Sequence, residues 1–395
     1  MQRELWSKEF IAIIASSLFN SLAFYALMPT LPIYLLEHLK MSHSSVGLVI
    51  AAFSISVILI RPVAGYIMDN YHRSGVFVLS LSLITALYGV YPLISTVAGM
   101  FTIRFIHGTF FGITSSASAT IVADIVPPSR IGQGIGVFAL SFPVGMTIGP
   151  MFGLELIKNQ GPNTLFLAIT VISFLSVLGA FCTRYPYKSP ARKKFSLPDL
   201  FSKMALPISL CMFFIMAVYG AIIIFVSIYA SQKNFPNVAT FFVVLSVAVF
   251  LSRLFAGRLF DTGHALHLIV AGLIMASTGV LWLGYAGNST QFLVAGVING
   301  FGFGILMPTG QAAINNLVKS SERGAANSTY LFSYDLGIGA ISLIIGFLLD
   351  KVSLAEIYRY STLLIMLAAI IFVFKAIPHY YHNIRDRKIA PQFKS

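Results

Sequence analysis

Twelve long apolar runs decide what this sequence can fold into. They fall roughly at 10–36, 45–67, 76–97, 99–122, 132–156, 164–183, 205–230, 238–259, 266–286, 290–315, 325–348 and 357–378. A helix needs about 20 mostly apolar residues to cross a bilayer. A membrane strand would span only about 9–11 residues and would alternate apolar with polar. These runs are too long and too evenly apolar for strands. Composition agrees: 57% of residues are hydrophobic and 10% charged, against about 25% charged in soluble domains. Mean hydropathy is +0.85. The expectation is an all-α membrane protein with twelve transmembrane helices, and a single soluble core is excluded. The first run follows Arg3 and Lys8. It is too long for the core of a cleaved leader, so it reads as a permanent span.

The net charge of +13 would suggest nucleic acid in a soluble protein. Here it sorts by side. With the N-terminus inside, eighteen Lys and Arg fall in cytoplasmic segments and five in outer ones. Arg61, Arg104 and Arg253 lie within or at the ends of spans. That bias satisfies the positive-inside rule and predicts a multi-pass protein of the cytoplasmic (inner) membrane with both termini cytoplasmic. The basic excess then means topology and attraction to anionic lipid heads, with no nucleic-acid partner. The two cysteines, Cys182 and Cys211, read as small apolar packing residues.

A charged punctuation mark occurs twice. "RPVAGYIMDN" (61–70) is answered by "RLFAGRLFDT" (253–262), so Arg61, Gly65 and Asp69 recur as Arg253, Gly257 and Asp261, 192 residues on. "HGTFFG" (107–112) matches "NGFGFG" (299–304) at the same offset, through Gly108 and Gly300 and through Gly112 and Gly304. Two pseudo-symmetric six-helix bundles follow, at 1–183 and 205–378. Between them lies a polar linker at 184–204, and a basic tail occupies 379–395. Parallel six-helix repeats are a transporter architecture with substrate between the halves.

The chain resembles the major facilitator superfamily over essentially its whole length, and within it the twelve-helix drug and metabolite efflux antiporters. Three stretches carry the resemblance. The loop between spans two and three keeps Gly65 and Asp69 of the family pattern and has Arg73 at a basic position, while Asn70 and His72 depart from it. The resemblance implies a gate here, with glycine allowing close helix approach and aspartate pairing with charge. Arg61, Arg253, Gly257 and Asp261 belong to the same twin corners. "RFIHG" (104–108) is similar to the family's Arg-x-x-Gln-Gly, with His107 in place of Gln. The resemblance implies proton coupling for Arg104. Span five, "GVFALSFPVGMTIGPMFGL", matches the antiporter motif at Gly136, Gly145, Gly149, Pro150 and Gly153 and departs from it at Leu154. That motif implies export in exchange for an ion. Its small residues permit close helix packing, and its proline bends the helix.

No phosphate-cradling loop, His-Glu metal pair or Ser-His-Asp set appears, so no enzyme, cofactor or metal is expected. Asp335 is the one acid near mid-membrane. A carboxylate there either pairs or takes up a proton, and both suit a proton-coupled carrier. Arg104 and His107 share a helix face; Arg104 either faces a partner or snorkels outward, and His107 adds a group that titrates near neutral pH. Asp124 is expected to pair with a neighbouring-loop cation such as Arg130. Asn20, Tyr25, Tyr219, Asn299 and Gln311 are weaker cavity candidates, each equally able to bond a neighbouring helix. The expected function is proton-coupled export of a small amphipathic molecule (drug, metallophore or metabolite) by alternating access, by a monomer. The alternatives are a proton symporter or facilitator for sugars and metabolites, or a lipid flippase. The expected partners are a small-molecule substrate, protons and membrane lipids.

Overall fold

The computed structural model describes residues 6–127, 134, 137–183, 201–236, 238–259, 265–318 and 323–383. Twelve long helices account for most of them: α1 (Lys8–Ile33), α2 (His43–Asn70), α3 (Arg73–Val90), α4 (Val97–Ile125), α5 (Ser141–Asn159), α6 (Pro162–Phe181), α7 (Leu206–Gln232), α8 (Val238–Leu259), α9 (Ala265–Tyr285), α10 (Ser289–Leu317), α11 (Arg323–Leu348) and α12 (Leu354–Ile371). Each covers one apolar run. A π-helical turn, Phe372–Ala376, and a short helix, Ile377–Asn383, continue α12 into the region expected as tail. Eleven described helical segments are long and apolar enough to cross a membrane, and Val238–Leu254 is a shorter apolar one.

Polar residues set the ends of the spans. Ser7, Ser42, Thr96 and Asn288 each accept a hydrogen bond from a backbone N–H of the first turn that follows. Ser353 and Glu356 form a reciprocal capping box at the start of α12. Pro29 and Pro32 lie inside α1, which runs on into a π-helical turn, Tyr34–His38. Gly161 opens α6 at φ 86°, a conformation that favours glycine.

The chain divides into two compact units, Met1–Phe195 and Ser196–Ser395. In the first, α1 packs on α5 and α6, α2 on α4, and α3 on α4 and α6. In the second, α7 packs on α11 and α12, α8 on α10, and α9 on α10 and α12. Every pairing recurs six helices later. The repeat extends to single atoms. A Cβ on Gly108 would strike the carbonyl of Phe53, and one on Gly300 that of Leu245, 192 residues on. Gly112 meets Val57 and Ile60, and Gly304 meets the matching Val249 and Ser252. Gly108 with Gly300 and Gly112 with Gly304 thus mark the places where α4 touches α2 and α10 touches α8.

Each unit turns its apolar side chains outward. Leu79, Leu167 and Phe174 in the first unit, and Ile274, Phe347 and Leu363 in the second, are more than half exposed along their helices. Hydroxyls sit inside. Ser56 bonds Thr109 at 2.7 Å, Thr114 bonds Ser80 at 2.8 Å and Thr85 bonds Ser173 at 2.7 Å. Hydroxyls paired inside and apolar side chains left outside suit a lipid solvent, which offers no partner to a hydroxyl.

Candidate functional site

A charged group lies inside the first unit. Arg104 sits about two turns into α4, yet its side chain does not snorkel outward. It is 3% exposed, with its guanidinium carbon 4.4 Å from the centre of the Phe53 ring on α2. His107, one turn on, is fully buried among Phe53, Tyr88 and Tyr91. The Tyr91 hydroxyl is 3.1 Å from His107 Nδ1, and the tyrosine ring stacks on Phe166 of α6. Arg104 and His107 therefore share one pocket. Phe53, Tyr88 and Tyr91 complete it. Sequence reading missed these three. The signal that marks them is loss of the repeat: their counterparts 192 residues on are Leu245, Val280 and Leu283, and that of Arg104 is Gly296.

Beyond Phe53 the ring chain continues. Phe53, Phe24 and Phe111 pack together, with Phe24 and Phe111 stacked at 4.5 Å. Tyr25 joins the edge of this cluster and is half-buried. Asn20 is also half-buried on α1, with its side-chain oxygen buried and unbonded.

The glycines of span five form one face of α5 laid on α1. A Cβ built on Gly145 would lie 2.6 Å from that of Ser21, and one on Gly149 would lie 2.8 Å from the Ala26 nitrogen. One on Gly153 would come within 2.6 Å of the Ala26 carbonyl oxygen. The helices meet backbone to backbone along about two turns. Pro150, buried in the same helix, removes one donor from its ladder. In the second unit Gly337 holds the place of Gly145 and touches Phe213 and Ala217 on α7. Ile341 and Ile345, both buried, replace Gly149 and Gly153. The α5 glycine face is thus reduced to one position in its counterpart, α11.

At the corner between α2 and α3, Arg73 joins three helices. Its Nε donates to the Met68 carbonyl at the end of α2 (2.9 Å), and its Nη1 pairs with Asp124 of α4 at 2.5 Å. Asp124 therefore pairs with Arg73. The expected partner, Arg130, lies outside the described residues, as do Gly136, Asp261 and the side chains of Asp69 and Gly257. His72, where the family pattern has glycine, caps α3 by accepting from Gly75 N–H. Asn70, where it has arginine, donates to the Tyr66 carbonyl at 2.8 Å. Among the described residues, a Cβ on Gly65 would meet nothing within 4 Å. Arg61 is half-buried on α2.

In the second unit, Asp335 is half-buried on α11 beside Tyr334. Tyr334 bonds Tyr330 at 3.2 Å, and Tyr330 donates to the Met307 carbonyl next to Pro308. Arg253 of α8 lies in electrostatic range of Tyr334, with its Nε buried and unbonded. Gln311 joins an amide chain, donating to Asn327 (3.0 Å), which donates to Asn315 (2.9 Å). Tyr219 is buried against Phe303. Asn299 is fully buried against Gly279 of α9 and donates to its own helix at Ala295. Its side-chain oxygen is buried and unbonded, like that of Asn20.

The sequence profile of the Major Facilitator Superfamily matches residues 13–290 and 262–393. A tetracycline resistance protein, class H, of Pasteurella multocida is 25% identical, over 98% of each chain. The multi-drug resistance efflux pump PmrA of Streptococcus pneumoniae is 22% identical over 87% of this chain and 82% of its own. The crystal structure of the human organic anion transporter MFSD10 superposes with a TM-score of 0.70 at 18% identity, over 92% of this chain and 98% of that one. This chain is a multi-pass membrane transporter and belongs to the major facilitator superfamily.

Proposed function

We propose that this transporter exports a small amphipathic molecule in exchange for protons. The observation that carries the reading is the glycine face of α5, laid backbone to backbone on α1 around Pro150. Smooth glycine faces let packed helices slide and rock with little repacking, and this pattern resembles that of exchangers working outward. Relatives named for tetracycline resistance and multi-drug efflux support the same direction. Asp335 is the proton carrier in this reading, since a half-buried carboxylate in a span can alternate between a protonated state and a paired one. Arg104 is a fixed charge and serves binding.

The test is proton movement in vesicles holding an imposed pH gradient, with a panel of amphipathic compounds. Wild type should discharge the gradient when a cargo is added. Asp335→Asn should lose that coupled flux by at least about ten-fold, as expected when an essential proton-carrying group is removed. A cargo that crosses in both proteins without touching the gradient would make this a facilitator.

A further inference from the structure

The Arg104 pocket holds donors and lacks an acceptor of matching charge. Among the described residues no carboxylate lies within ion-pair distance of Arg104. Its Nε, the Tyr88 hydroxyl and His107 Nε2 are all buried and unbonded. The protons follow from the neighbours. Arg104 lies beside the Tyr91 hydroxyl. The cation draws the hydroxyl oxygen toward itself and turns the O–H toward His107 Nδ1 (3.1 Å). Nδ1 then accepts, so Nε2 carries the ring proton, as it would in the imidazolium too. Three unbonded donors, one of them a permanent cation, therefore face a low-dielectric interior. A buried guanidinium without a counter-charge is strongly unfavourable, and the Phe53 face offsets only part of that.

The fold does not require this arrangement. In the second unit Gly296, Val280, Leu283 and Leu245 stand at the positions of Arg104, Tyr88, Tyr91 and Phe53, and the same helices pack in the same pairs. The polar set is an addition to a scaffold that closes without it. Its side chains are at most 6% exposed, so any ligand these donors hold is small.

We propose that Arg104, Tyr88 and His107 form a binding site for one monovalent anion inside the first unit. Its two sources are a free halide, chloride, and a carboxylate brought in on the cargo; only the second rests on the export reading above. Arg104 supplies the charge, Tyr88 and His107 fix the position, and Tyr91 sets the histidine tautomer.

The test uses purified full-length protein in detergent. The unfolding temperature is followed while chloride replaces gluconate at constant ionic strength, and a parallel series uses acetate. Chloride should raise the temperature saturably in wild type. Tyr88→Phe should shift the half-saturating concentration upward by about ten-fold or more, the usual cost of removing a hydrogen bond to a charged group. Arg104→Gln should abolish the rise. If that variant does not fold, Tyr88→Phe carries the test, because it removes one oxygen and keeps the ring. Acetate acting like chloride shows that the site accepts a carboxylate as well as a halide, and inert acetate assigns it to free halide. Equal responses in wild type and both variants, or no saturable response in wild type, would overturn the proposal. The assay reads binding without flux, so it stands or falls separately from proton exchange.

Discussion

At the residue scale, Arg73 shows how one side chain can hold a helix corner. It bonds a carbonyl at the end of α2 and a carboxylate on α4 from the first residue of α3. The pair is mostly buried, with side chains 12% and 29% exposed, so solvent screening is limited. Asp124→Asn should therefore destabilise the protein by about 1–2 kcal/mol, more than a surface pair would. An unfolding curve would show it, and Arg73→Asp with Asp124→Arg should recover part of the loss. No recovery would mean that the Met68 carbonyl contact matters and the charge pair does not. The sequence marked both residues and expected a neighbouring-loop cation for Asp124, with Arg130 as the example. Spacing along a chain cannot tell which of two loop cations a carboxylate reaches. The Arg104 pocket was half legible for a similar reason. Charge inside a span marks Arg104, and a helical spacing of three adds His107. Tyr88, Tyr91 and Phe53 are aromatic residues in a chain containing 34 Phe and 17 Tyr, and only packing singles them out.

At the element scale, glycines that look alike in sequence separate into two kinds. Gly149 is pressed against the backbone of α1, so a side chain there must push two helices apart. Gly149→Leu should cost roughly 3 kcal/mol or more, or prevent folding, as overpacking a tight contact does. Gly65 is exposed inside α2 with open space at its Cβ position. Gly65→Ala should be neutral or stabilising by up to about 1 kcal/mol, because alanine is the better helix former. Thermal unfolding of both variants checks the contrast. A large loss for Gly65→Ala would show that the open space closes in another state of the cycle. Unchanged stability with reduced transport would assign the residue to gating. Apolar length made the helices themselves legible. The 192-residue repeat made the two halves legible but not the pairing of helices, since only packing shows that Gly108 with Gly300 and Gly112 with Gly304 lie at the α2–α4 and α8–α10 contacts.

At the scale of the whole molecule, two kinds of information fix topology, and they are independent. The helices fix relative sides. α7 alone separates Lys203 from Lys233, so these residues face opposite sides of the membrane whatever the orientation. Charge bears on the absolute sides: the positive-inside bias, eighteen basic residues against five, predicts Lys203 in the cytoplasm and Lys158 and Lys233 outside. All three lysines are exposed, so each can carry a reporter thiol without disturbing packing. Cys182 is exposed and must first be replaced by serine, whereas Cys211 is buried and needs replacing only as a control. In intact cells, a membrane-impermeant maleimide should label Lys158→Cys and Lys233→Cys. It should leave Lys203→Cys unlabelled until the cells are opened. The reverse pattern would keep every helix in place and overturn the orientation, and with it the export direction. Labelling of Lys203→Cys and Lys233→Cys from the same side would be the more serious result. It would mean that α7 does not cross, a helix with 27 residues and the highest mean hydropathy among the described spans.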